Sequence, residues 1–324
     1  MSSPAPRPGR APWVAALSDY LGMLGVLGLL VLFFSVRTNH FLEAATFRTI
    51  TNQIPHSVLI AVGMTYVLII AGIDLSVGSV LALSSAVMGV CMVKAGLPLG
   101  VAALAAMGVG LLCGLLNGAI TIAWGLPSFI VTLGMLEAAR GGTFLVTHSE
   151  TLYIGGKAAA IATGSVAGLS VPFLIAVSVV AAGQLVLTRT VFGRYLVAIG
   201  TNEEAVRLSG IDPRPIKLAV FGLCGLLAGA AAVLQTSRME SSDPNMGGGD
   251  ELAAIAAVVI GGTSLMGGRG SVVNSFFGVA IIAVLGTGLN QMGAGDPTKR
   301  LITGCVIVAA AVLDYYRQRL WKGR

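Results

Sequence analysis

The chain has 324 residues, of which 55% are hydrophobic and only 10% charged, with a formal net charge of +6 and four cysteines. At a mean hydropathy of +0.88 it has too few polar groups to cover its apolar surface in water, which excludes a soluble globular protein and requires a bilayer. Cys91, Cys113, Cys224 and Cys305 each fall inside an apolar stretch with no paired spacing, which excludes a disulfide framework or a zinc site and leaves them as small core residues.

Residues 1–18 carry four prolines and two arginines and read as a disordered cytoplasmic leader. No small-residue cleavage site follows the first apolar block, so that block is expected to stay as an anchor. Ten blocks near the roughly 20 residues that a spanning helix needs then follow: 19–36, 55–73, 76–93, 99–123, 127–147, 168–188, 218–236, 252–266, 270–290 and 300–316. The third follows the second with almost no loop and is rich in Ser and Gly. The expected fold is an all-α integral membrane protein of about ten transmembrane helices, occupying 19–316, with a basic tail at 317–324.

Orientation follows from Lys and Arg, which are retained on the cytoplasmic side. With both termini inside, twelve of the twenty basic residues are cytoplasmic and seven lie outside, with Arg140 within a span. Topology thus accounts for most of the net charge, and nucleic acid need not be invoked. The tail WKGR is placed to touch anionic membrane lipid.

Three features along the chain carry polar chemistry. Asp74 lies in AGIDLSVGS (71–79), between two apolar blocks where glycines and serines free the backbone. It either caps the third span or faces solute in a cavity, as broken helices at membrane depth do. Glu137 and Arg140, three residues apart in the fifth span, share a helix face and are expected to pair and neutralise each other; a relay from Glu137 to Asp74 is the alternative. His56 beside Pro55 reads as interfacial, and Asn117 as an interhelical or cavity-lining group. Gly110, Gly114 and Gly118 repeat on one face, as do Gly225 and Gly229, a pattern that brings helix backbones together, here expected within one chain rather than at a dimer seam.

The most polar interior segment, 189–217, holds Arg189, Arg194, Arg207, Arg214 and Lys217 beside Glu203, Glu204 and Asp212. It reads as a cytoplasmic docking loop whose short helix opens with Asn202-Glu203-Glu204-Ala205 and closes before Gly210 and Pro213. Further on, GGGDE (247–251) places Asp250 and Glu251 at a helix start, suited to capping. This echoes Gly72-Ile73-Asp74, as a five-plus-five internal repeat would. The glycine tracts contain no G-x-x-x-x-G-K-[ST], and neither a Ser/His/Asp constellation nor a metal-ligand cluster exists, so the chain is expected to be no enzyme and to bind no cofactor or metal.

The stretches VGMT (62–65), GIDLSVGS (72–79), FGRY (192–195), GTNEEAVRLSGI (200–211) and ELAAIAAVVIGGTSL (251–265) closely resemble the ribose-type permeases of bacterial ABC importers, over residues 20 to 316. The resemblance implies a dimeric, multi-pass inner-membrane permease, its second copy identical or related. Such a permease takes a monosaccharide-like solute from a periplasmic sugar-binding protein and is driven by a cytoplasmic ATPase, which binds the ATP and Mg. It also implies that Asn202, Glu203, Glu204, Ala205, Arg207 and Gly210 form the element that couples to the ATPase. Hydroxyl-rich solutes would then need hydrogen-bonding groups along the path, for which Asp74, Ser76, Ser79, Asn117 and Thr132 are the candidates. Gly268-Arg269-Gly270 departs from the family's usual Gly-Lys-Gly with its charge preserved. The competing class is a secondary carrier driven by an ion gradient, with duplicated broken helices and midplane ionisable groups. A channel would need a charge ring or selectivity loop, and the sequence has neither.

Overall fold

The computed structural model describes residues 12–312 apart from 167, 296, 300, 307, 310 and 311. In chain order its helices are α1 (Pro12–Arg37), α2 (Ala44–Gln53), α3 (Pro55–Ile69), α4 (Val77–Val93), α5 (Leu99–Trp124), α6 (Ser128–Thr147), α7 (Gly156–Ala162), α8 (Val171–Arg189), α9 (Val191–Leu208), α10 (Arg214–Met239), α11 (Asp250–Ile260) and α12 (Val272–Gln291). Further helical residues lie at 297–299, 301–306, 308, 309 and 312. Two small antiparallel pairs complete the described elements: β1 (Leu152–Tyr153) with β4 (Ser241–Ser242), and β2 (Ser165–Val166) with β3 (Leu169–Ser170).

The hub is α3. Its sequence is apolar on every side, which is the signature of a helix buried all round, and every residue from Val58 to Ile69 is buried. Around it pack α8, α10, α11 and α12, while α4, α5 and α6 form a second group joined to the hub through α10, and α1 lies against α12. Pro55 at the start of α3 follows a 46° bend from α2.

Among the described residues five helices (α5, α6, α8, α10 and α12) are long and apolar enough to cross a membrane, and α2 with α3 makes a sixth if the bent pair is one span. Two further apolar helices are shorter. α4 has 17 residues and α11 only 11, so at about 1.5 Å per residue α11 reaches about half of a ~30 Å hydrocarbon layer.

The glycine repeats form an internal seam, as expected. A Cβ on Gly110 would lie 2.3 Å from the Gly225 carbonyl oxygen, one on Gly114 2.2 Å from that of Phe221, and one on Gly225 2.2 Å from that of Gly110. α5 and α10 therefore touch backbone to backbone, where dispersion and close packing hold helices together.

Several expectations shift. α1 already begins at Pro12, seven residues before the expected block, so part of the assigned leader is helical; residues 1–11 and the tail 317–324 lie outside the described residues. The 189–217 segment is mostly helix rather than loop, because α9 and the start of α10 occupy it. The stretch 147–166 carries β1, α7 and β2. Cys113 and Cys224 are buried as expected, but Cys305 is exposed.

Candidate functional site

Between α3 and α4 the chain runs unwound from Ile70 to Ser76, and its freed backbone groups are met by side chains. The Asp74 carboxylate accepts from the Ser76 backbone N–H at 2.9 Å and from the Ser76 hydroxyl at 2.6 Å. Asn117 on α5 donates to the Ser76 Oγ at 2.9 Å. From α6, Ser128 Oγ accepts from Ile73 N at 2.9 Å, while Thr132 Oγ1 accepts from Leu75 N at 3.0 Å and donates to the Ile73 carbonyl at 3.2 Å. Four of the five path candidates thus meet in one knot that ties the break to α5 and α6. Ser79 lies one turn further along α4. All five are buried to 1% exposure or less, so in this conformation they are walled off from solvent. Asn117 Oδ1 alone among the knot's side-chain oxygens lacks a partner.

At the same end of the bundle sits α9. At Asn202 the backbone departs from helix (φ −163°, ψ 97°), dividing α9 in two. The Asn202 side chain accepts from Ala205 N at 2.9 Å, capping the second half as an Asn at this position does. That half, 203–208, buries only Val206 and ends at Gly210, whose φ of +83° suits glycine. Glu204 pairs with Arg207 at 2.9 Å along the helix, and Glu203 with Lys217 of α10 at 3.0 Å. An open apolar groove lined by Tyr195, Ala198, Ala205, Val206 and Ile211 runs along one side. On the other is a polar groove lined by Glu203, Arg207, Asp212, Arg214 and Lys217.

The first half of α9 is wedged into the bundle at one residue. A Cβ on Gly200 would lie 1.7 Å from the Ile69 carbonyl oxygen and 2.5 Å from Gly268 N, and Gly268 N itself donates to Ile69 O at 2.9 Å. The unwound links that follow α3 and α11 therefore meet at α9. A cavity of about 330 Å³ lined by Ala71, Gly72, Ser128, Asn202 and Lys217 lies between this node and the knot. Sequence reasoning missed Gly200 as a contact. Its one signal was a glycine two residues before a helix-capping Asn, and that does not say what it touches.

The expected Glu137–Arg140 pair is absent. Arg140 instead donates to the carbonyl oxygens of Pro244 and Met246, both at 2.9 Å, because the turn before α11 offers acceptors that a guanidinium, with five donors, can satisfy. Glu137, one turn back on the same broad face, is exposed. Asp250 and Glu251 do occupy the first turn of α11, where carboxylates are favoured, and Arg140 is close enough to act on both. Asp250 Oδ2 has no hydrogen-bond partner and stands 4.0 Å from His56 Nε2. The two border a cavity of about 280 Å³ with Gln53, Arg238, Ala254 and Ile282.

Among the described residues no group of three or more metal-ligating side chains occurs. The arrangement is an unwound link braced by side chains of α5 and α6 and, beside it, a capped and exposed half-helix.

The comparisons with known proteins give the chain's family. The family described as "Branched-chain amino acid transport system / permease component" matches residues 46–311. The chain is 38% identical to the ribose import permease of Haemophilus influenzae, over 89% of this chain and 90% of that protein. It is 34% identical to the D-allose transport system permease of Escherichia coli, over 91% of each, and 32% identical to the fructose import permease of Rhizobium meliloti, over 90% of this chain and 83% of that one. No solved structure matches it. With the match running from α2 through the last described helix, and relatives above 30% identity spanning it nearly end to end, the chain is a multi-pass membrane protein belonging to the family of transport-system permease components.

Proposed function

We propose that this chain is the permease subunit of a binding-protein-dependent importer that carries a monosaccharide or related polyol across the bacterial inner membrane, driven by a separate ATPase. The observation that carries this reading is α9. Its capped, exposed segment 203–208 lies between an apolar and a polar groove, as an element made to seat in a partner would, and Gly200 wedges the same helix against both unwound links. A push on 203–208 by a closing ATPase dimer is delivered at once to the links following α3 and α11, and rigid elements meeting at one contact transmit such displacements between two discrete arrangements. Asn202, Glu203, Glu204, Ala205, Arg207 and Gly210 form the coupling element. The chain performs no covalent step, and ATP and Mg act on the partner ATPase. The solute class rests on relatives named for ribose, allose and fructose, and such a solute is delivered by a periplasmic sugar-binding protein.

The helix order supports ten crossings with both termini cytoplasmic, α9 at the inner face, and α4, α11 and the helical residues from 297 onward counted as spans. The five-plus-five repeat is supported by a contact between corresponding places. A Cβ on Gly78, at the start of α4, would lie 2.2 Å from the Gly247 carbonyl just before α11, as expected where two halves meet near a pseudo-two-fold axis. Asp74, Ser76, Ser79, Asn117 and Thr132 stand behind the path, bracing α6 against the break and reaching solute only when the knot opens.

Solute uptake into proteoliposomes holding this chain, its ATPase and its binding protein tests the reading. Uptake should require ATP and all three components, and should collapse with Glu203→Arg or Glu204→Arg while the complex stays folded. Uptake by the chain alone on an ion gradient, indifferent to ATP and to both reversals, would establish the secondary carrier instead.

A further inference from the structure

We propose that the outward face of α6 lines the solute path and that Glu137 is its hydrogen-bonding group, the opposite wall coming from a second copy of the chain. This rests on the permease reading above. α6 is the least buried of the five long apolar helices, with 22% of its window inside the fold. Its exposed side is apolar at Phe129, Ile130, Leu133 and Leu145 and carries Gly134, Glu137, Ala138 and Gly141 along its middle.

Glu137 is the tenth residue of this 20-residue helix, which places it near mid-depth of any bilayer that α6 crosses. A carboxylate there is too short to reach the headgroups, and ionisable groups at that depth face a bundle interior or a water-filled cavity rather than lipid. Arg140, one turn on along the same face, spends its guanidinium on the carbonyls of Pro244 and Met246 and makes no ion pair with Glu137.

The other exposed faces differ. α5 presents Val101, Leu104, Leu112 and Leu116, and α8 presents Ile175, Val177 and Leu185, which are faces suited to lipid. Only α6, among these, exposes a charge in mid-span, flanked by two glycines that leave room beside it; no atom lies within 4 Å of a Cβ built at Gly134 or Gly141. An ionised carboxylate is acceptor-only with two oxygens, and so matches a neutral solute that offers adjacent hydroxyl donors. Water fills the site between passages and keeps the carboxylate solvated.

Cysteine accessibility tests this in the assembled complex of permease, ATPase and binding protein. Glu137→Cys and Gly141→Cys should react with a charged, membrane-impermeant methanethiosulfonate, and Leu116→Cys on the α5 face should not, the native cysteines giving the background in the unsubstituted chain. We expect reaction at position 137 at least about tenfold faster than at 116, since a charged reagent reaches water and not lipid. Binding protein loaded with solute, together with ATP, should slow the labelling. Gly141→Cys keeps the test open if the Glu137 variant fails to assemble. Reaction at 137 and 141 no faster than at 116 would overturn the proposal, as would a disulfide between the two copies at 137 formed without reagent access. A reactive position 137 in a protein whose uptake proves independent of ATP would retain the path and remove only the importer reading.

Discussion

Replacing Gly200 by alanine is the sharpest perturbation of the coupling geometry. The new Cβ would stand 1.7 Å from the Ile69 carbonyl oxygen and 2.5 Å from Gly268 N. Ordinary van der Waals contact begins at 3.4 Å, so the backbones must part by well over an ångström, and no flexible side chain is there to yield. Overpacking of this kind costs about 1–3 kcal/mol, at times more. The cheaper relief is for α9, which is exposed along much of its length, to swing away from the links following α3 and α11 rather than for the buried hub to unfold. The expected result is therefore a modest fall in thermal stability of the detergent-purified chain, with ATP-driven uptake lost and the ATPase running uncoupled from solute. Gly108→Ala on α5, where no atom lies within 4 Å of the new Cβ, is the matched control and should change neither. A Gly200→Ala protein that keeps wild-type uptake would refute the idea that motion passes through this contact.

The seam and the knot give two further predictions. Gly225→Ala drives a Cβ to 2.2 Å from the Gly110 carbonyl and should destabilise the α5–α10 packing by about 1–3 kcal/mol, read as earlier unfolding in a denaturant titration; a value within error of the parent would show that the seam relaxes freely. Asp74→Asn keeps an oxygen acceptor for both Ser76 donors and should leave uptake close to normal, whereas Asp74→Ala leaves two buried donors unpaired at about 1–3 kcal/mol each and should reduce thermal stability. Loss of uptake in Asp74→Asn with stability unchanged would instead make the charge itself part of the solute's route.

Much of this protein was legible in its residues. Composition required a bilayer, and the apolar blocks at 55–73, 99–123, 127–147, 168–188, 218–236 and 270–290 correspond to α3, α5, α6, α8, α10 and α12. The four-residue glycine spacing announced the α5–α10 seam, and Asn202 followed by two acids announced the capped end of α9. These are local signals, because a helix's apolar length, its cap and the face on which small residues recur are set within one or two turns of the chain. The Glu137–Arg140 reading failed for the complementary reason. Spacing says that two side chains can meet, but the carbonyls of Pro244 and Met246, more than a hundred residues away, offered Arg140 better acceptors. In the same way nothing near Gly200 in the chain names Ile69 or Gly268, and nothing near Glu137 says that its side of α6 would be left uncovered. Sequence determined which segments are helices and what lies on each of their faces. Which face meets which neighbour was decided by the tertiary structure, because that choice depends on how distant segments fill the space between them.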